Sequence, residues 1–227
     1  MKLAIIAVCL FCFNVLYGLI FSWFLLKKSA SKIQLAAYQA RISHFKKRLP
    51  LIFLNIFLVS LFSFISITCA SSYFSSVFPT GIITILSQFF LFIVIDDLWF
   101  YSFHRYLHEN KFLFKKIHRS HHRANEPLPL EFIYAHPLEW MGGSMGIVFS
   151  CIAIYMLFGG INAYIFCVYT FFRGFHDVLL HSCTKSNLLK YIPFFLGNEA
   201  HELHHARFTG NYASMLSYLD ILFKTKM

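Results

Sequence analysis

The sequence predicts an all-α integral membrane protein: about three spanning helices plus a helical hairpin, with a helical cap on the cytoplasmic side. Three observations carry that prediction. Hydrophobic residues make up 58% of the 227 residues and charged residues only 13%, against roughly half and a quarter in a soluble domain. The apolar residues fall in long unbroken runs. Seven cations (Lys27, Lys28, Lys32, Arg41, Lys46, Lys47 and Arg48) fill one connector between two such runs, with no acid among them. That is the signature of a cytoplasmic loop.

Each element follows in order. Residues 3–26 are long enough to span and too long for the apolar stretch of a signal peptide. No small-residue cleavage site follows, so they read as a retained anchor. Residues 51–70 form the second span, with Pro50 at its start. Residues 71–81, without charge, form a short loop on the far side. Residues 82–100 form the third span, with Asp96 and Asp97 at its exit. By parity this span leaves on the cytoplasmic face and places 101–140 there. Residues 141–158 and 161–172 are each short for a crossing and flank Gly159-Gly160. They predict a hairpin that enters the bilayer and returns. Gly142 and Gly146 form a G-x-x-x-G that permits close helix packing. The return puts 173–227 on the same face as 101–140.

The net charge of +10 invites a nucleic-acid partner, but its distribution argues against one. The connector cations are a topology signal, and the six cations between 105 and 123 suit anionic headgroups. The six cysteines (Cys9, Cys12, Cys69, Cys151, Cys167 and Cys183) lie mostly in apolar runs. They read as small apolar residues, without a disulfide framework. No internal repeat is present. The first 95 residues hold no acid and a single histidine, His44, which reads as interfacial. All ten acids and the other eleven histidines lie between 96 and 220. Residues 1–95 therefore read as membrane anchor and 96–227 as the chemical region of one integrated domain.

Three histidine clusters stand out: H-x-x-x-H at His104 and His108, H-x-x-H-H at His118, His121 and His122, and H-x-x-H-H at His201, His204 and His205. On a helix, positions i, i+3 and i+4 share a face, so each cluster is expected to project its imidazoles towards one point. Eight imidazoles are too many for one ion, which takes three to five protein ligands, and they suit two. The cap is thus expected to hold a dimetal site. Imidazole serves iron, zinc and copper. Neutral ligands leave such a site positive, so carboxylates should orient them. The candidates are Asp97, Glu126, Glu139, Glu199 and Glu202. His181 is a further candidate ligand. His136 and His176 are further candidate ligands, and the alternative role for His136 is to orient the site through Glu139.

The stretches "DDLWFYSFHRYLHENKFLFKKIHRSHH", "EFIYAHPLEW", "HELHHARFTGNY" and "YLDILFKT" resemble the fatty acid hydroxylase superfamily, which includes sterol C5-desaturases and C4-methyl sterol oxidases. The resemblance runs from about Ile95 to the C-terminus. It implies a non-haem di-iron enzyme that uses O2 to hydroxylate, desaturate or oxidise a lipid. It also implies iron ligation by His104, His108, His118, His121, His122, His201, His204 and His205, with His181 as a further candidate. The chain is short for that family and lacks a fused cytochrome b5-like domain. Two electrons are then expected from a separate carrier, cytochrome b5-like or a ferredoxin with its reductase, docked on the basic face. The acyl-CoA desaturases differ in their first box and box spacing.

Two other readings compete. His201-Glu202-x-x-His205 is literally the zinc-protease helix motif, with Glu202 as general base. That leaves the two earlier clusters idle. A metal transporter would set its ligands within the spans, and a haem protein would need fewer histidines. Trp99, Phe100, Tyr101, Phe103, Tyr134 and Trp140 belong to an interfacial belt or line a lipid path. The expected location is a bacterial inner membrane, with the endoplasmic reticulum as alternative.

Overall fold

A computed structural model describes residues 1–30, 32, 34–77, 81–182 and 196–227. Cys183 lies outside the described residues. Five long helices form the body: α1 (Lys2–Ala30), α2 (Leu35–Cys69), α3 (Ile82–Glu109), α6 (Pro137–Phe158) and α7 (Ala163–Leu180). Short elements build the cap: α4 (Lys111–Leu113), a π turn at Phe114–His118, α5 (Arg119–His122), a 3-10 turn at Pro129–Ile133, α8 (Asn198–Arg207) and α9 (Tyr218–Leu222). Two short parallel strands, β1 (Phe74–Ser75) and β2 (Ile161–Asn162), pair at the opposite end of the bundle.

Four helices, α1, α2, α3 and α6, are long and apolar enough to cross a membrane. Their outward residues (Phe13, Ile20, Phe57, Phe90 and Met156 among them) are large, apolar and exposed. Such a surface suits hydrocarbon and not water.

Two expectations are corrected. Most of the basic connector is helix and not loop: Lys27 and Lys28 end α1, and α2 carries Arg41–Arg48 and runs on past Pro50. Phe45, Leu49 and Ile52 recur at helical spacing and pack against Ala124 and Leu128 of the cap, which holds the segment helical. The missing N–H of Pro50 frees the carbonyl of Lys46, an exposed position where water can bond it. Beyond the third span the helix carries on through His104 and His108, as the shared helical face of the first histidine cluster requires. The first arm of the hairpin is not short, because α6 starts at Pro137, capped by the His136 side chain, and has the length of a full span. Its turn is made at Gly159, whose left-handed φ of 71° suits glycine.

α3 packs extensively on α6 and also touches α7, whose main helix partner is α1. Phe92 stacks on Tyr169 at 4.9 Å and contacts Phe166. A side chain at Gly142 would collide with Phe103, and one at Gly146 with Asp96. These two glycines thus let α6 lie against α3, and the Trp99 indole donates to the Gly142 carbonyl at 2.7 Å. Polar residues within the helices tie the cap down. Ser22 accepts from the Leu130 amide at 2.8 Å. Asn55 donates to the Ile133 and Ala135 carbonyls at 2.9 and 2.8 Å and accepts from Trp140. Buried Glu131 pairs with Arg48 at 2.6 Å. The strand between the second histidine box and α6 is thereby fixed on the bundle end.

Candidate metal centre

α3 and α7 run parallel and α6 antiparallel to them, so the C-terminal ends of α3 and α7 meet the N-terminal end of α6. The histidines gather there in two groups. His104, His108, His118, His122 and His204 form one, and His121, His181, His201 and His205 the other. Within each group the ligating atoms lie within 4.8 Å of one another. The groups adjoin, with the His122 and His205 rings 4.8 Å apart.

The boxes do not each converge on one point, contrary to the sequence expectation. The i and i+4 members stay together, as in His118 with His122 and His201 with His205. The i+3 members, His121 and His204, cross to the other group. Adjacent helical residues diverge by about 100°, so His204 and His205 cannot face one ion.

Backbone carbonyls do most of the orienting. Nδ1–H donates to the Tyr212 carbonyl from His104 (2.8 Å), to Tyr134 from His121 (3.0 Å), to Asp177 from His181 (2.7 Å) and to Gly210 from His204 (2.7 Å). A carbonyl only accepts, so the proton sits on Nδ1 and Nε2 presents a bare lone pair. Those lone pairs face one another. Nε2–Nε2 separations are 2.7 Å for His118–His108, 3.2 Å for His104–His118, and 3.1 Å for both His201–His181 and His205–His201. This convergence gives each group a set of nitrogen donors that one cation can share.

Burial also keeps the rings neutral. It holds His118 and His181 down to about 3, and it lowers His121, His122, His201, His204 and His205, with neighbouring imidazoles adding to the effect for these five and His181. Neutral imidazole is the form that binds metal.

The carboxylates behave differently from expectation, with one exception. Glu139 Oε1 meets His118 Nδ1 at 2.9 Å. Asp97 instead accepts from the Met215 and Leu216 amides at 2.9 and 3.4 Å, holding the C-terminal segment. Glu126 and Glu199 are exposed and Glu202 is half-buried, and none of the three joins either group. His136 caps α6 through the Leu138 amide. His176 is fully buried and bonds the Leu196 backbone. Neither belongs to the two groups. The zinc-protease geometry is not supported. His201 and His205 do share a group, but His121 and His181 complete it, where a protease site keeps a position open beside its base.

A cavity of about 440 Å³ runs from the histidines between the long helices. His104, His118, His121, His181, His201 and Glu139 close one end, and Ala7, Leu10, Phe62, Ile67 and Val148 wall the other. Phe100, Phe103 and Trp140 also line it. Trp99 packs on Phe149 instead, and Tyr101 on Phe223.

These features define a helical membrane protein with a paired histidine site at the mouth of an apolar cavity. Residues 89–225 match the fatty acid hydroxylase family, and the chain belongs to it. Methylsterol monooxygenase 1 of Rattus norvegicus is 37% identical over 136 residues, 58% of this chain and 44% of that protein. Methylsterol monooxygenase erg25B of Aspergillus fumigatus is 32% identical over 187 residues, 82% and 60% of the two chains. The C-4 methylsterol oxidase of Candida albicans is 32% identical over 143 residues, 62% and 46%. The chain spans about half the length of these curated relatives. No solved structure matches it.

Proposed function

We propose that the protein is a membrane-bound, non-haem di-iron oxygenase that oxidises a C–H bond of a lipid with O2 and two electrons from a separate carrier. The observation that carries this reading is the two adjoining sets of converging imidazoles at the end of an apolar cavity. His104, His108, His118, His122 and His204 would hold one iron, and His121, His181, His201 and His205 the other. Iron fits a nitrogen-rich donor set, and two irons bound there would supply the redox chemistry of O2 activation that side chains lack. Kinship with methylsterol monooxygenases favours a sterol-like lipid.

The chain's own residues have definable work. The four carbonyl-bonded imidazoles cannot swivel, so their lone pairs stay aimed. Glu139 sets Oε1 2.9 Å from His118 Nδ1 and places a second carboxylate oxygen, Oε2, buried without a partner among the described residues, in the cavity wall. That oxygen is positioned to hold a proton beside the site. The apolar wall excludes water and accepts a substrate from the bilayer. In this reading residues 1–95 anchor and 96–227 carry the chemistry. The histidines face the cytoplasm, where the basic connector offers a surface to an acidic carrier, in a bacterial inner membrane or the endoplasmic reticulum.

Purified protein should contain iron at two per chain, and cells supplied with 18-O2 should place the label in a lipid product. Stoichiometric zinc with peptide cleavage overturns the proposal. Glu139→Gln should weaken iron retention about 10–100-fold, whereas Glu202→Gln should leave iron content and turnover unchanged, as measured by metal analysis of both variants.

A further inference from the structure

The cavity wall is apolar along most of its length but is interrupted on one turn of α7. Arg173 lines it there with a guanidinium that is 15% exposed. Its Nε donates to Asp96, and Nη1 lies 3.6 Å from Asp177. At the same level Asn14 enters from α1. Its Nδ2 donates to the Phe171 carbonyl at 3.0 Å. The side chain fits only because position 174 is glycine, where a Cβ would meet that Nδ2 at 2.5 Å. Asn14 is 1% exposed and lines the cavity, and its Oδ1 has no partner among the described residues. A buried, unpaired carbonyl oxygen is costly, and costlier in a bilayer. A ligand donor would remove that cost.

The charge of this station selects the ligand. Asp96 and Asp177 already offset Arg173, so an anionic carboxylate or phosphate gains little there. A neutral hydroxyl gains both bonds, accepting from the guanidinium and donating to Asn14. Arg173 stands eight residues before His181, about 12 Å along the helix axis.

We infer that Asn14 and Arg173 form a seat for one neutral hydroxyl of the lipid substrate. The seat holds one end of the lipid on the turn of α7 eight residues before His181, with the rest of the molecule lying in the cavity. The seat itself is a binding feature; only the fate of the far end rests on the oxygenase reading.

The test uses the full chain in phosphatidylcholine nanodiscs, with radiolabelled octadecan-1-ol, octadecane and stearate as probes. Asn14→Leu should weaken octadecan-1-ol binding about tenfold and leave octadecane binding unchanged. Gly174→Ala, which displaces the Asn14 side chain, should act in the same direction and serves if the first variant misfolds. Wild-type protein should prefer the alcohol to stearate. Unchanged alcohol binding in both variants, or a preference for stearate, overturns the seat. Iron is measured on the same samples. Alcohol selectivity without iron sinks only the oxygenase reading, and iron without selectivity sinks only the seat.

Discussion

Replacing His204 by Ala should empty one metal position, and replacing its neighbour His205 should empty the other. The two residues are consecutive on α8 yet belong to different groups. His204→Ala leaves four imidazoles in its group: His104, His108, His118 and His122. His205→Ala leaves three: His121, His181 and His201. Each variant should fall from about two irons per chain to about one, with the deeper loss in His205→Ala. Turnover should drop at least about 100-fold in both, since loss of a ligand exceeds the loss of an orienting partner. Metal analysis with an activity assay decides the matter. Simultaneous loss of both irons from each variant, or retention of both, would contradict the assignment of ligands to groups.

Removing Asp96 should be the most destabilising single change in the bundle. Its carboxylate is 1% exposed and receives bonds from Tyr169 on α7 and from the Arg173 guanidinium. Asp96→Ala strands a buried cation, with Asp177 at 3.6 Å the remaining counter-charge. Breaking such a pair costs roughly 3–5 kcal/mol. The double variant Asp96→Ala/Arg173→Met removes both charges and should recover most of that loss. Denaturation of detergent-purified protein checks this. If the double variant is as unstable as the single, the cost lies in packing against Gly146 and not in the stranded charge.

Much of the site was legible because metal chemistry restricts residue type. All nine histidines nominated as ligands lie in the two groups, including His181, which belongs to no box. Their partition was not legible. A helical period of 3.6 puts i+3 and i+4 about 100° apart, and the spacing cannot say which of the two an ion sits beside. The carbonyls that orient His104, His121, His181 and His204 were hidden for a plainer reason: every residue carries one. Among the carboxylates Glu139 lies beside His118, whereas Asp97 bonds the Met215 and Leu216 amides and Glu126, Glu199 and Glu202 stand outside both groups.

In the fold, the spans followed from hydropathy, but two boundaries were masked. The cations of residues 41–48 drew attention from the apolar Phe45, Leu49 and Ile52 that make the connector a helix. The start of α6 had a readable sign in proline at the first helical position after a capping side chain, His136-Pro137. The apolar run, which begins later, outweighed it.

The crossing of His121 and His204 also has a consequence for biogenesis. A nascent chain that has reached residue 122 already contains four of the five members of one group: His104, His108, His118 and His122. It contains a single member of the other, His121. Synthesis proceeds from the N-terminus, so the first group is all but complete while the second still awaits His181, His201 and His205. The first position gathers four of its histidines while the second has only one, and α8, the last histidine-bearing element to emerge, completes both.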